Sequence, residues 1–302
     1  MTQQTWIQLP EKRFESEELA PVQHGLSNHP LLQMDELLNL ALRMPADQVR
    51  FYSGSQVPIT QSLETVAERF SNGMTLADTM KHMDTAGSYV FLGQVQTDPV
   101  YKALVDEVLD QIEPMIIAQT PGLKKGNRLE RREGWIFISS PGAVTPYHRD
   151  HETNFLCQVR GKKTVHVWDA RDREVCSESE NETFHGAHTL KATIYRPELE
   201  AKARIFELRA GDGAYMPYTN PHWVKNGDEV SISLSVTYHT AVTDRIRNLY
   251  RVNHTLRNKG YQPEVVGRSP MLDALKYASY ESFKRAKRLL KDDPHYRTTA
   301  YT

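Results

Sequence analysis

Two histidines and one aspartate occur at a spacing that suits a metal site. His148 and Asp150 are separated by one residue, and His222 lies far downstream, directly after a proline. In an extended chain, residues i and i+2 face the same side, so the side chains of His148 and Asp150 can converge on one ion. His222, on a distant predicted strand, would supply a third ligand. Two imidazoles and one carboxylate on one face leave the opposite coordination positions open, which is typical of non-haem Fe(II) sites.

Lys163 strengthens this hypothesis, because a His-x-Asp pair alone arises easily by chance in a chain with 12 histidines. By itself that pair fits a surface turn better than a metal site. Lys163 begins a predicted strand in which Lys163, Val165 and Val167 share one face. A lysine on an apolar face needs an anion, since buried lysines are rare unless they are paired. Thr145 and Asn154 flank the metal pair and could donate hydrogen bonds to such an anion.

The segments that must position these side chains are short and rich in aromatic and β-branched residues. They occupy roughly residues 131–240, and sequences with glycine, proline or asparagine separate them. Many short strands at this spacing indicate a β-sandwich or a jelly roll. One polar interruption, residues 169–191, is longer than ordinary loops and is predicted to be a lid or a binding loop.

Helices and isolated strands are predicted on both sides of this β-rich region. Short strands are predicted at residues 49–52 and 89–92. The cationic C-terminal part is typical of a packed helix with a solvated basic face; the alternative is a patch for an anionic partner or a lipid surface. Capping and first-turn residues predict helix boundaries at Thr75 with Asp78, Asp98-Pro99, Gly260 and Ser269-Pro270.

Composition narrows the classes of protein to consider. With 302 residues, 39% apolar and 25% charged, the chain has the make-up of a globular protein with one or two domains. The net charge of −1 gives no global field that would select nucleic acid, and no apolar run is long enough for a membrane span. Two cysteines are too few for a disulfide framework, and the N-terminus lacks a signal-peptide pattern. We therefore expect a cytoplasmic protein without a membrane span or a nucleic-acid partner.

Taken together, these motifs resemble those of the JmjC or cupin-like Fe(II)- and 2-oxoglutarate-dependent oxygenases. The resemblance rests on Thr145–Lys163, Gly211–Pro217 and His222. It implies a mainly β core, a double-stranded β-helix of the jelly-roll or cupin type, with flanking N-terminal and C-terminal α-helices. The implied oxygenase domain covers residues 1–242, with a helical or mixed part at 1–130 and the β-helix core at 131–242, and a C-terminal helical extension follows at 243–302.

The resemblance also assigns roles to residues of the site. Fe(II) would be the metal, 2-oxoglutarate the cosubstrate and O₂ the oxidant. Lys163 falls on the position that binds the C5 carboxylate of 2-oxoglutarate, with Thr145 and Asn154 as polar neighbours. Ser235 stands where peptidyl hydroxylases of this kind carry an asparagine, a departure that bears on the substrate class and the cosubstrate geometry. The metal ligands would be His148, Asp150 and His222.

The reaction that the resemblance implies is hydroxylation of an unactivated C–H bond. The leading substrate hypothesis is a small or conjugated molecule, for example an anionic saccharide or a lipid-linked one. The alternative is a protein or peptidyl hydroxylase or an N-methyl-lysine demethylase. Two further alternatives remain. Lys163 argues against a cupin that works without 2-oxoglutarate, and the complete set of metal ligands argues against a non-catalytic regulator.

Further residues are candidates for contact with substrate or for other roles. His185 and His188, in the long polar segment, have no nearby carboxylate or cysteine partner, so we favour a lid there over a second metal site. His239 is predicted to be structural or exposed. The C-terminal helices could build a homodimer. The residues predicted to face the substrate are Tyr147, Arg149, Arg132, Tyr215, Asn220 and Trp223.

Overall fold

The structure is a computed structural model that describes residues 5–9, 14–55 and 57–290. These residues form two compact units. The first comprises the described residues up to Ala170 together with Ile194–Thr240. The second comprises Arg171–Thr193 and the described residues from Ala241 onward.

Strands dominate the first unit and pair in antiparallel fashion. Their bounds are β1 Ile7–Gln8, β2 Ala20–His24, β3 Val49–Ser53, β4 Ser88–Leu92, β5 Glu130–Ser139, β6 Val144–His148, β7 Thr153–Arg160, β8 Lys163–Val167, β9 Arg204–Leu208, β10 Asp212–Met216, β11 His222–Asn226 and β12 Ser231–His239. The predicted strands at 49–52 and 89–92 correspond to β3 and β4.

Two sheets arise from these pairings, and together they form the predicted β-helix. The larger sheet has the order β1-β2-β10-β7-β12-β5-β4-β3, and the smaller has the order β6-β11-β8-β9. An apolar cluster joins the two sheets, with Leu156 and Met216 from the larger one and Val165 and Val224 from the smaller one. Side chains on these inner faces therefore share one interior, which is the space where the site forms.

The strand β12 shows how the sequence divides the two faces of the larger sheet. Its alternate residues Ile232, Leu234 and Val236 belong to the main apolar core, whereas Ser233 and Ser235 are buried on the inner face. Because side chains alternate with a period of two, one strand can cover a hydrophobic core and line a polar interior at once.

Two helices of the first unit begin where capping residues predict. The N-cap Thr75 accepts a hydrogen bond from the backbone N–H of Asp78, and Asp98 accepts from the N–H groups of Val100 and Tyr101. The helices of the first unit are α1 Met34–Arg43, α2 Val66–Arg69, α3 Leu76–Lys81 and α4 Pro99–Gln119, and those of the second are α5 Glu178–Ala187, α6 Ala241–Asn258 and α7 Pro270–Leu290.

The polar segment 169–191 differs from its prediction as a long loop, because it contains α5. Ser177 and Glu180 form a capping box at the start of this helix, with each side chain bonded to the other residue's backbone N–H. That Ser-x-x-Glu signal was present in the sequence and outweighs the polar composition of the segment. Within the second unit, α5 packs on α6 through a paired Arg257 and Glu182, with Nε–Oε2 at 2.6 Å.

The second unit ends in a helix with an unusual surface. Along α7 the side chains of Met271, Leu275 and Phe283 are 78%, 64% and 67% exposed. None of the helices among the described residues combines the length and the apolar character that crossing a membrane requires.

Candidate metal centre

Three of the predicted ligands converge at one end of the interior. His148 is the last residue of β6 and pairs across the strands with His222, the first residue of β11. Asp150 follows β6 by two residues. Its Oδ1 lies 3.6 Å from Nε2 of His148, and its Oδ2 lies 3.7 Å from Nε2 of His222. Among the described residues, this is the one group of three or more His, Cys, Asp or Glu that could hold a metal ion.

A bulge in β6 sets which side chains face the interior. Val224 pairs with Thr145, whereas His222, two residues earlier in β11, pairs with His148, three residues further along β6. The extra residue in β6 lets Thr145 and His148 lie on one side despite their odd separation. Pro146 occupies the irregular stretch, where its missing N–H costs no ladder hydrogen bond.

The two imidazoles are oriented so that each presents one nitrogen to the centre. Nδ1 of His148 lies 2.7 Å from the carbonyl oxygen of Pro146, and Nδ1 of His222 lies 3.0 Å from that of Asn220. A carbonyl only accepts, so each Nδ1 carries the hydrogen and each Nε2 keeps a lone pair toward Asp150. Burial, reinforced by the neighbouring His222, lowers the pKa of His148 to about 4. Neutral imidazoles and a carboxylate are a donor set that fits Fe(II).

Lys163 lies at the start of β8 on the same interior face. It is 6% exposed, and among the described residues no carboxylate forms an ion pair with it. Desolvation lowers the pKa of this lysine to about 7. Since a buried ammonium without a counter-ion is costly, the surroundings of Lys163 suit an anionic ligand.

Polar groups lie between the lysine and the triad. Thr145, buried on β6, forms a side-chain hydrogen bond with Tyr89 of β4. Burial raises the pKa of Tyr89, and the negative charge of nearby Asp150 raises it further. Nδ2 of Asn154 lies 3.5 Å from Oδ2 of Asp150. Oδ1 of Asn154 and Oγ of Ser235 are buried and have no partner among the described protein atoms. Unsatisfied buried oxygens are rare, so these two atoms are available to a ligand.

A family model described as a cupin-like domain matches residues 35–244, which is well over half of the chain. The protein belongs to the cupin-like domain family. The family resemblance and the fold drawn from the sequence are therefore confirmed.

Solved structures of an Escherichia coli protein resemble this cupin-like protein distantly. The X-ray structure of E. coli ycfD is 16% identical, covers 96% of this chain and 70% of its own, and has a TM-score of 0.49. The YcfD ribosomal oxygenase with cobalt and 2-oxoglutarate is 13% identical, with coverages of 95% and 69% and a TM-score of 0.47. The structure of the same oxygenase with cobalt and succinic acid is 14% identical, covers 96% of this chain and 69% of its own, and has a TM-score of 0.45.

Three of the residues predicted to face a substrate are buried around the triad of this cupin-like protein. Tyr147 packs edge-on against the rings of Trp168 and Tyr195, at centroid distances of 5.2 and 5.4 Å. Asn220 is buried, and its side-chain oxygen accepts from the N–H of Ala170. Its backbone carbonyl orients His222, so Asn220 shapes the metal centre through its main chain. The third such residue is Arg149, which is 1% exposed.

The other three predicted substrate residues lie elsewhere. Arg132 pairs with Asp110 and Glu113 of α4, with N–O distances of 2.6 and 2.5 Å. Tyr215 belongs to the main apolar core, where its hydroxyl donates to the carbonyl of Ser16. Trp223 stacks on His166 at 4.1 Å, on the face of β11 opposite to the interior. The structure does not bring these side chains to the triad, because strand alternation turns them to the opposite face of their sheets.

Acidic residues that were missed in the sequence lie in the triad's neighbourhood. Thr237 of β12 pairs with Asn154 on one side and Glu133 on the other, so Glu133 lies in the same inner row as Asn154. Burial and the nearby Glu152 raise the pKa of Glu133 to about 7. His239, buried rather than exposed, places Nε2 3.9 Å from Oε1 of Glu152. We call Glu133, Glu152 and His239 the mouth cluster.

Histidines of the long polar segment do not form a second metal group among the described residues. His185 is buried in the second unit and stacks on Tyr250, with ring centroids 5.2 Å apart. His188 ends α5 in a left-handed conformation with φ of 55°. Both positions are explained by helix packing and helix termination.

Arg149 holds the loop that orients His222. Its Nε donates to the carbonyl of Thr219 at 3.0 Å, and Thr219 has φ of 64°, a strained conformation for a β-branched residue. The next residue, Asn220, provides the carbonyl that fixes the ring of His222. Arg149 therefore acts on the metal centre through the backbone of this loop.

We predict that Arg149→Gln weakens metal binding by roughly 10- to 100-fold, as is usual when the support of a ligand is lost. Co(II) binding to the purified protein, followed by its visible absorption, measures the change. Arg128→Gln, at a 72% exposed arginine, is the matched control and should bind as the parent does. A folded Arg149→Gln protein with unchanged Co(II) affinity would contradict the positioning role.

Proposed function

We propose that this protein is an Fe(II)- and 2-oxoglutarate-dependent oxygenase that hydroxylates a C–H bond of its substrate. The observation that carries the proposal is the pairing of a two-histidine, one-carboxylate centre with a buried lysine that has no carboxylate partner among the described residues. A metal centre alone fits many cupins. A lysine held uncompensated in the same interior needs an anionic ligand, and the C5 carboxylate of 2-oxoglutarate meets that need.

In this proposal each polar residue of the interior has a defined task. His148, Asp150 and His222 hold the iron on one face. Lys163 pairs with the C5 carboxylate. Thr145 and Tyr89, which bond to each other, and Asn154 and Ser235, which have unsatisfied oxygens, line the space between. With O₂, the bound iron and 2-oxoglutarate supply the oxidising chemistry, while the protein orients them and excludes water.

Two rival activities of the same fold agree less well with these residues. A cupin that works without 2-oxoglutarate has no use for a buried, uncompensated lysine beside its metal. A non-catalytic regulator needs neither the triad nor the lysine, and burying both in one interior costs stability. The oxygenase proposal accounts for the two together.

For the substrate we propose a protein or peptide, which was the alternative at the level of sequence. The mouth cluster supports this choice, because above about pH 7, where Glu133 is ionised, its carboxylate repels the anionic saccharides that were the leading hypothesis. Incubation of a cell extract with the protein, Fe(II), 2-oxoglutarate and ¹⁸O₂ separates the hypotheses: label in the macromolecular fraction supports a protein substrate, and label confined to the filtrate supports a small molecule.

The triad and the lysine make separable contributions to cosubstrate binding. In an anaerobic titration of the Fe(II)-loaded protein with 2-oxoglutarate, we expect the weak visible band of bidentate chelation. His148→Ala should abolish the band. Lys163→Ala should retain iron but need about 10- to 100-fold more 2-oxoglutarate, because one charge-assisted contact is lost. Iron binding without any band in the parent protein would reject the oxygenase proposal.

Cosubstrate binding should depend on pH through Lys163. The free lysine has its pKa lowered to about 7, and pairing with a carboxylate raises it, so binding takes up a proton above pH 7. We expect the affinity for 2-oxoglutarate to fall by up to about tenfold for each pH unit above 7. Anaerobic calorimetry in buffers of different ionisation enthalpy measures both the affinity and the proton uptake.

Lys163→Arg is the control for this pH effect, since a guanidinium stays charged throughout the range. Its 2-oxoglutarate affinity should vary little between about pH 6 and 8.5, whatever its absolute value. Proton uptake of the same size in Lys163→Arg would assign the effect to another group.

We also propose that the protein forms a homodimer through its C-terminal helices. The exposed apolar side chains of α7 support this, because such surfaces commonly mark interfaces. The double variant Leu275→Ser, Phe283→Ser should sediment as a monomer, whereas Ile205→Ser, at a 53% exposed residue of β9, should sediment as a dimer. A monomeric parent protein at micromolar concentration would contradict the proposal. A cytoplasmic location stays a prediction from the sequence.

A further inference from the structure

A cavity of about 490 Å³ lies at the far end of the first unit. The turns that border it are Arg160–Lys162 after β7, Arg209 after β9 and Glu229 before β12. The strand β7 runs from the triad end to this end over eight residues, so the cavity is roughly 23 Å from the metal centre at about 3.3 Å per residue. It is also distinct from the proposed 2-oxoglutarate site, because Lys163, although next to Lys162 in the chain, is buried on the interior face and does not line the cavity.

Positive charge predominates in the lining. Arg160, Lys162 and Arg209 contribute three cations, and Glu229 contributes one anion. All four are exposed, and within the described part of the chain none of them forms an ion pair. Ordinary surface arginines often pair with a neighbouring acid, as Arg43 does with Glu36 at 3.2 Å. Three uncompensated cations around one concave space favour an anionic ligand.

The start of a helix also borders the cavity. Gln33 and Met34, at the N-terminus of the ten-residue helix α1, line the cavity. Gln33 makes no side-chain cap, and its amide nitrogen donates to the carbonyls of Ser27 and His29. The first turn also carries Asp35 and Glu36, whose carboxylates offset the positive end of the helix, so the cations of the turns remain the main attraction for an anion.

We propose that this cavity is a second binding site, for a small organic phosphate. Its volume suits a small molecule, since sites of about 300–1,000 Å³ hold such ligands. Arginine binds a phosphate through two parallel N–H bonds, and Arg160 and Arg209 approach from different turns. A bound phosphate would therefore contact two guanidinium groups and one ammonium group, whereas a single carboxylate is too small to contact all three.

The experiment is calorimetric titration of the full chain with glucose 6-phosphate, and separately with pyrophosphate, glucose and a short single-stranded RNA. We expect binding of the two phosphates and none of glucose. The double variant Arg160→Gln, Arg209→Gln should bind at least about tenfold more weakly, the loss of roughly one charge-assisted hydrogen bond. Lys163→Ala should bind as the parent does, which separates this site from the cosubstrate site.

A matched pair of charge changes gives the sharper test. Glu229→Gln and Asp228→Asn each remove one negative charge from the same exposed loop, but only Glu229 lines the cavity. Glu229→Gln should tighten phosphate binding several-fold, and Asp228→Asn should leave it nearly unchanged. Equal effects of the two variants, or unchanged binding in the double arginine variant, would overturn the proposal. Binding of RNA without binding of either small phosphate would also overturn it.

Discussion

The pairing of His148 with His222 across β6 and β11 is the constraint on which the rest of the site depends. It joins the end of one strand to the start of another that is remote in sequence, and it brings the Nε2 atoms of both rings within 3.7 Å of Asp150. The bulge in β6 then returns Thr145 to the same interior. A different register would turn one histidine outward, because a shift of one residue moves every side chain to the other face.

Desolvation governs the remainder of the interior. The same burial that lowers the pKa of His148 and keeps its imidazole neutral also lowers the pKa of Lys163 and raises that of Glu133. Metal ligation gains from this burial, since protons no longer compete for the imidazole. The same burial disfavours the charged forms of both groups. Glu133 lies near His239 and Arg131, whereas Lys163 has no carboxylate partner among the described residues. The interior is therefore arranged for ligands rather than for stability alone.

Alternation of apolar residues was sufficient to predict a β-sandwich or a jelly roll, and the family resemblance narrowed this to the β-helix. The spacing of chemically distinctive groups predicted that His148, Asp150 and His222 converge and that Lys163 lies on an apolar strand face. The sequence was insufficient where one residue decides the side of a strand. Arg132 was predicted to face the substrate, but the structure turns it to α4 and places its neighbour Glu133 inside. Tyr89 could have been found from the alternation of its predicted strand. Ser177 and Glu180 form a capping box that predicts the start of α5, but the polar composition of the segment favoured a loop instead.

Both histidines of the centre take their orientation from a carbonyl two residues earlier in the chain, Pro146 for His148 and Asn220 for His222. Each ring is thus aimed by its own short segment, without help from the other ligands. Little rotamer freedom remains to be lost when an ion arrives, so the entropy of ordering opposes binding only weakly. A centre organised in this way can release and recapture its metal while the fold around it stays intact.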